Sequence, residues 1–272
     1  MGVLSVAIGG GGLLLAGRKR DWLHNRLRTE RTRQFFFQGL VNRIPEIANS
    51  MADAAAIADY RGKRDGRFAT FRNELEHSLV EQYTRIIDDA SEEDVWTDGR
   101  LRNFEIQRDI PDLEPLFDAY RELRIDRQLG YANYKLSADT AILNAPRRQA
   151  NLLALLSLVG VLALLFIHAG VVAGVLSGSS FWLEFRSDPA NMVVVWIAVL
   201  ALALRGLEEG FQPGQEMERY QQYRSSVRSI LRRFDAARSQ RERVELMREL
   251  ERVSFLEMRS FLLTNERARF VI

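Results

Sequence analysis

LLALLSLVGVLALLFIHAGVVAGVL, residues 152–176, is 25 residues long and contains no formal charge and no proline. A helix needs roughly 20 apolar residues to cross a hydrocarbon core, so this stretch predicts a membrane span. A soluble core helix of the same length would repeat polar residues along one face. Here the polar side chains are Ser157 and His168, too few to make a wet stripe. Gly170 and Gly174 lie four apart, and Gly178 continues the series, which puts three glycines on one helical stripe. Small residues let lipid-embedded backbones approach closely where hydrophobicity gives no reason to associate. The stripe fits an intramolecular hairpin contact and a contact between subunits equally well.

Basic residues flank this run on its N-terminal side, at Arg147 and Arg148, and a second apolar run covers 190–207, ending around Arg205. At 1.5 Å per residue that run is about 27 Å long, enough to cross. Arg205 can snorkel to the nearer interface. The connection from Ser177 to Asn191 carries Phe181 and Trp182, rings suited to a membrane boundary, and is net acidic. Positive charge favours the cytoplasmic side, so the connection is expected outside and both ends of the hairpin inside. Residues 1–17, MGVLSVAIGGGGLLLAG, are uncharged and followed at once by Arg18, Lys19 and Arg20. A secretory signal has its charge before the apolar run; the reversed order predicts a short span with its N-terminus outside, an interfacial segment being the alternative. The glycine run matches neither a P-loop nor a dinucleotide fingerprint, because the required Lys-Ser/Thr pair and the third glycine are missing.

Between these spans the chain is charged and helical in pattern. Basic and acidic totals nearly cancel, 38 against 36, which argues against a nucleic-acid partner. Trp22, Arg26, Glu30 and Arg33 recur at spacings of three and four, and read on their own as solvated i,i+4 and i,i+3 ion pairs. Phe35, Phe36 and Phe37 point to different sides of a helix, which requires burial against several partners. Phe68, Phe71, Leu75, Leu79 and Tyr83 mark another helical face, with Pro45 opening an earlier helix and Ser91 to Gly99 forming a break. A helix from about Leu116 to Asn144 leads back to the membrane. Beyond the hairpin, helices at about 215–234 and 239–264 form an antiparallel pair, with Val227, Ile230, Leu231 and Phe234 facing Leu246, Met247, Leu250 and Val253. From Glu218 to Arg269 there are 13 arginines against 8 acids, a basic excess that suits an anionic lipid surface.

The expected fold class is therefore all-α: an integral membrane protein with a transmembrane hairpin, a short N-terminal span and a helical cytosolic region. The divisions are 1–17, 18–148, 149–207 with spans at 152–176 and 190–207, and a C-terminal helical pair at 208–272. With no cysteine there is no disulfide, thiol nucleophile or cysteine metal site. His24, His77 and His168 are far apart, and His77 with Glu81 lacks a third ligand, so no metal or cofactor is expected. No enzymatic constellation is present. His168 differs in kind: an ionisable group inside a span is a functional hypothesis by default, to be weighed against a neutral imidazole bonded to a neighbouring carbonyl.

An apolar segment, then Trp22, Arg26, Glu30 and Arg33, then Arg127, Gln128 and Tyr131 ahead of a two-span hairpin, then a helical pair opening with Glu218 and Tyr223, resembles the SLATT family. The likeness is one of pattern over most of the chain, and the insert between Val41 and Leu116 departs from shorter members. The resemblance implies a multi-pass protein of the bacterial inner membrane with a cytosolic C-terminus. It further implies a pore-forming homo-oligomer in the lipid bilayer, an anti-phage effector controlled by a nucleotide second messenger or a signalling partner protein. The alternative is a membrane-anchored scaffold or receptor subunit that does not conduct.

Overall fold

The computed structural model describes residues 2–51, 53–102, 113–137, 146–177 and 212–267, together with positions 195 and 197. Among the described residues every regular element is helical. In chain order they are α1 (Gly2–Asn42), α2 (Ile44–Ser50), α3 (Ala54–Asp89), α4 (Glu92–Val95), α5 (Glu114–Tyr120), a π-helical turn (Arg121–Asp126), α6 (Arg127–Leu136), α7 (Pro146–Ser177), α8 (Pro213–Ala236) and α9 (Gln240–Arg267). The chain divides into two units, one holding 1–13, 135–217 and 267–272, the other 14–134 and 218–266.

In the first unit α7 dominates. Its stretch Arg148–Gly174 is the one described helix long and apolar enough to cross a membrane, and 6% of its apolar window is buried. A core helix would be mostly covered, so the apolar surface of α7 lacks a protein environment and suits a lipid one. The second expected span, 190–207, lies almost wholly outside the described residues, as do Gly178 and most of the connection between the two. The apolar opening of the chain runs without interruption into α1.

The second unit is a helical bundle with two apolar cores. One gathers Val41 of α1, Ile44 of α2, Phe117 and Tyr120 of α5, Ile125, and the facing stripes of α8 and α9, including Val227, Ile230, Phe234, Met247 and Leu250. The other joins Leu23 and Leu27 of α1 to Phe71, Leu75, Leu79, Tyr83 and Ile86 of α3 and to Phe255, Met258 and Leu262 of α9. Both cores therefore depend on α1 and α9. The phenylalanine triplet divides between partners, Phe35 stacking on Phe71 at 4.8 Å, Phe36 meeting Phe68 at 5.0 Å and Phe37 meeting Tyr120 at 6.2 Å, but Phe36 stays exposed, so the burial expected on every side is not met there. The α8 and α9 pair is antiparallel, since Tyr223 reaches Ser254 at 3.2 Å while Arg233 reaches Glu249 at 2.8 Å.

Pro45 sits in the first turn of α2, where its missing N–H costs nothing. The break at 91–99 is organised by Asp94. Its carboxylate accepts from the backbone N–H and hydroxyl of Ser91, both at 2.9 Å, and from Arg85 at 2.6 Å. Gly99 ends the turn at φ +73°, a left-handed conformation glycine adopts without strain. Burial works to raise the Asp94 carboxyl, but the Ser91 and Arg85 donors outweigh it and hold it below the ordinary carboxylate range. A depressed acid stabilises the fold above its unfolded-state pKa of about 3.9, and that contribution is lost as pH falls through the lower folded value. Asp94→Asn should lower Tm at pH 7 by about 2–4 °C, for a loss of ~1 kcal/mol. The difference from wild type should close as the melts are repeated below about pH 4.

Candidate functional site

The inward stripe of α1 starts apolar at Leu23 and Leu27, turns polar at Glu30, Arg31, Gln34 and Gln38, and becomes apolar again at Val41, every member at most 8% exposed. Buried polar groups are costly unless paired, so this stretch of the bundle has to supply partners. Arg31 donates to the carbonyls of Asp94 at 2.8 Å and Val95 at 3.3 Å and to Gln34 at 3.0 Å, closing the end of α4. Burial pulls its guanidinium down to about 10, against the pull of Asp94. Gln38 donates to the Val95 carbonyl and accepts from the Thr97 N–H, both at 2.8 Å.

Next to this stripe, the π-helical turn carries Arg124 into the interior. A wide turn adds a residue to the helix and brings Arg124 and Ile125 inward together, at 1% and 0% exposure. Arg124 grips the Glu251 carboxylate with two hydrogen bonds of 2.9 and 2.8 Å, and the pair is closed from solvent. The Tyr120 hydroxyl donates to the same carboxylate at 2.8 Å, and the guanidinium lies 4.6 Å from the Phe37 ring centroid. Tyr223 donates to Gln128 at 2.9 Å. Burial opposes the charge on Arg124, yet the Glu251 carboxylate and its hydrogen bonds more than offset it, so the guanidinium is raised and stays ionised. Burial pushes the Tyr120 and Tyr223 phenols upward, keeping both neutral donors.

A second charged group continues the seam toward the positions where the chain leaves this unit. Glu30 holds Arg26 at 2.7 Å and Arg33 at 3.2 Å. Glu257 of α9 faces Arg219 of α8 at 3.5 Å, and Arg219 packs over the Phe261 ring at 4.8 Å and Tyr220 at 4.9 Å. Arg26 also lies over the Phe261 ring at 5.5 Å, Trp22 meets it edge-on at 5.3 Å, and the Tyr131 and Tyr220 hydroxyls are 3.3 Å apart. Burial raises the Glu257 carboxyl, with Glu30 adding to the rise and Arg219, Arg26 and Arg33 opposing it. Along α9 the seam reads Glu251, Ser254, Glu257, Phe261 at spacings of three, three and four, one face of a helix.

Of the family-pattern residues, the structure brings Trp22, Arg26, Glu30, Arg33, Tyr131 and Tyr223 into this seam. Arg127 is exposed, whereas Arg124 and Gln128 of the same stretch reach the seam. Glu218 is exposed and accepts from Gln222 at 3.1 Å, while its neighbours Arg219 and Tyr220 face inward. Glu30 is buried, so its pairs are not the solvated ones their spacing suggests. In the other unit, His168 is exposed on α7, Gly170 is half-buried and Gly174 buried. His77 is exposed on α3, its ring nitrogen 2.7 Å from the Asn73 carbonyl. Sequence reasoning missed Arg124, Glu251, Arg219 and Glu257. The available signal was a charge on an apolar stripe, as at Glu251 beside Leu250.

Comparison with known protein families, curated proteins and solved structures finds no match. The arrangement is suited to fixing helices in one register, because breaking a buried pair strands a charge. Arg124→Met alone should cost ~3–5 kcal/mol, while Arg124→Met with Glu251→Leu should recover most of that loss. Denaturant melts of the four proteins in a double-mutant cycle measure the coupling, and additive losses would show that the pair is not the lock.

Proposed function

We propose that the chain is an oligomeric membrane effector of the bacterial inner membrane, pore- or channel-forming, whose charged bundle governs the spans and responds to a nucleotide signal or partner protein in anti-phage defence. The observation that carries this reading is the pairing of an uncovered apolar helix, α7, with a bundle whose interior is locked by ions. A plain anchor needs the first and has no use for the second. In the proposed topology 1–17, 152–176 and 190–207 span, the N-terminus and the 177–191 connection are outside, and the C-terminus is cytosolic. Gly170, Gly174 and Gly178 pack spans together, and His168 lines the path.

The rival reading is a membrane-anchored scaffold or receptor subunit, and it draws on there being one described helix long and apolar enough to span. Planar-bilayer recordings of purified protein separate the two. If His168 lines the path, His168→Ala should change cation conductance while the protein still inserts. Unchanged conductance would make His168 structural, and absence of any conductance with the cognate signal present would leave the anchor. A cysteine placed at Ser179 should react with an impermeant reagent in intact cells, and one at Ser225 should not.

A further inference from the structure

One cleft in the bundle backs onto the cores and the seam through Phe35, Phe37 and Gln38 but is filled by neither. It lies between the end of α1, the first half of α3 and the turn after α4, has a volume of about 250 Å³, and is bordered by Phe36, Asn42, Arg43, Tyr60, Arg64 and Arg67. Tyr60, Arg64 and Arg67 recur at spacings of four and three, so α3 presents an aromatic ring and two guanidinium groups on one face. Across from them Phe36 is 43% exposed. Three arginines border the cleft against one acid, Asp98.

The walls are fixed and the polar groups inside are incompletely used. Glu46 holds Arg43 at 2.9 Å and Arg67 at 3.1 Å, and Gln38 pins the strip from Val95 to Thr97. Arg64 bonds Asp65 at the surface. The side-chain oxygen of Asn42, on a residue 5% exposed, and the second terminal nitrogen of Arg67 are both buried with no hydrogen-bond partner. A buried amide acceptor and a buried guanidinium donor left open cost free energy until something fills them. An aromatic face offers stacking to a flat ring, and arginine offers forked donors to a phosphate.

We propose that this cleft binds a nucleotide, with its base stacked against Phe36 and Tyr60, its phosphate on Arg64 and Arg67, and a ring N–H or exocyclic amine on Asn42. The volume, just under the ~300–1,000 Å³ of drug-sized sites, limits the ligand to one base with its phosphate, or one such moiety of a larger molecule. The proposal deepens the effector reading and rests on it for the consequence of binding; the site itself rests on the cleft.

The test is equilibrium binding of the four ribonucleoside monophosphates, inorganic phosphate and adenosine to the full chain in nanodiscs. At least one monophosphate should bind about tenfold or more tightly than either phosphate or adenosine alone, because only it engages ring and cations together. Arg64→Ala should weaken that binding about tenfold, the loss of one charge-assisted contact. Phe36→Ala should weaken it for every base, and Arg64→Lys should restore part of it. Arg64 is a surface residue bonded only to its neighbour, so an unchanged Tm shows that the variant still folds. Equal binding by wild type and Arg64→Ala, or no saturable binding of any monophosphate, overturns the proposal. Conductance is recorded separately: nucleotide bound without any change in conductance keeps the site and removes the effector reading.

Discussion

The bundle depends on one buried charge. Once Arg124 is inside, its guanidinium cannot lose its proton and cannot reach water, so a carboxylate must be delivered to it with both oxygens in place. Glu251 does this from α9, Tyr120 completes the carboxylate from α5, and Phe37 covers the guanidinium from α1. Three helices are thereby fixed against sliding and rotation at one level. Hydrophobic contact alone is non-directional and would tolerate several registers of these long stripes.

The two units hold their apolar residues differently. In the bundle, apolar residues are hidden on stripes and charge is paired, with α1 and α9 shared by both cores. In α7, apolar residues point in every direction and stay uncovered. Lipid provides no hydrophobic drive for helices to associate, so a helix like α7, if it spans, would have to be ordered by close packing. The seam that continues from Arg124 to Trp22 ends close in sequence to the places where the chain leaves the bundle, with Tyr131 three residues before Tyr134 and Tyr220 two after Glu218.

Much of this was legible in the sequence. A long uncharged run and stripes such as Phe71, Leu75, Leu79 and Tyr83 are strong periodic signals, and three adjacent phenylalanines can be read as demanding three partners. The segment read as one helix from about Leu116 was harder. Its π turn slips the phase by one residue, so a pattern projected at 3.6 residues per turn does not carry Arg124 and Ile125 inward together, as the structure does. At Glu251 and Glu257 the charge on an apolar stripe was visible but its role was not: a charge on a helix is taken as an outer residue unless its partner is known, and theirs lie 127 and 38 residues away. The aromatic and arginine cleft was hidden likewise, since it joins Phe36 to a helix two dozen residues on.

The wide turn has a mechanical side as well. A π turn is an α-helix holding one surplus residue, so everything beyond it lags an uninterrupted helix by ~100°. With Arg124 clamped on Glu251 inside that turn, α6 takes the azimuth at which Gln128 meets Tyr223 and Tyr131 meets Tyr220. Were the surplus residue removed, both tyrosine contacts would swing away at once, converting the loss of one residue into rotation of a whole helix.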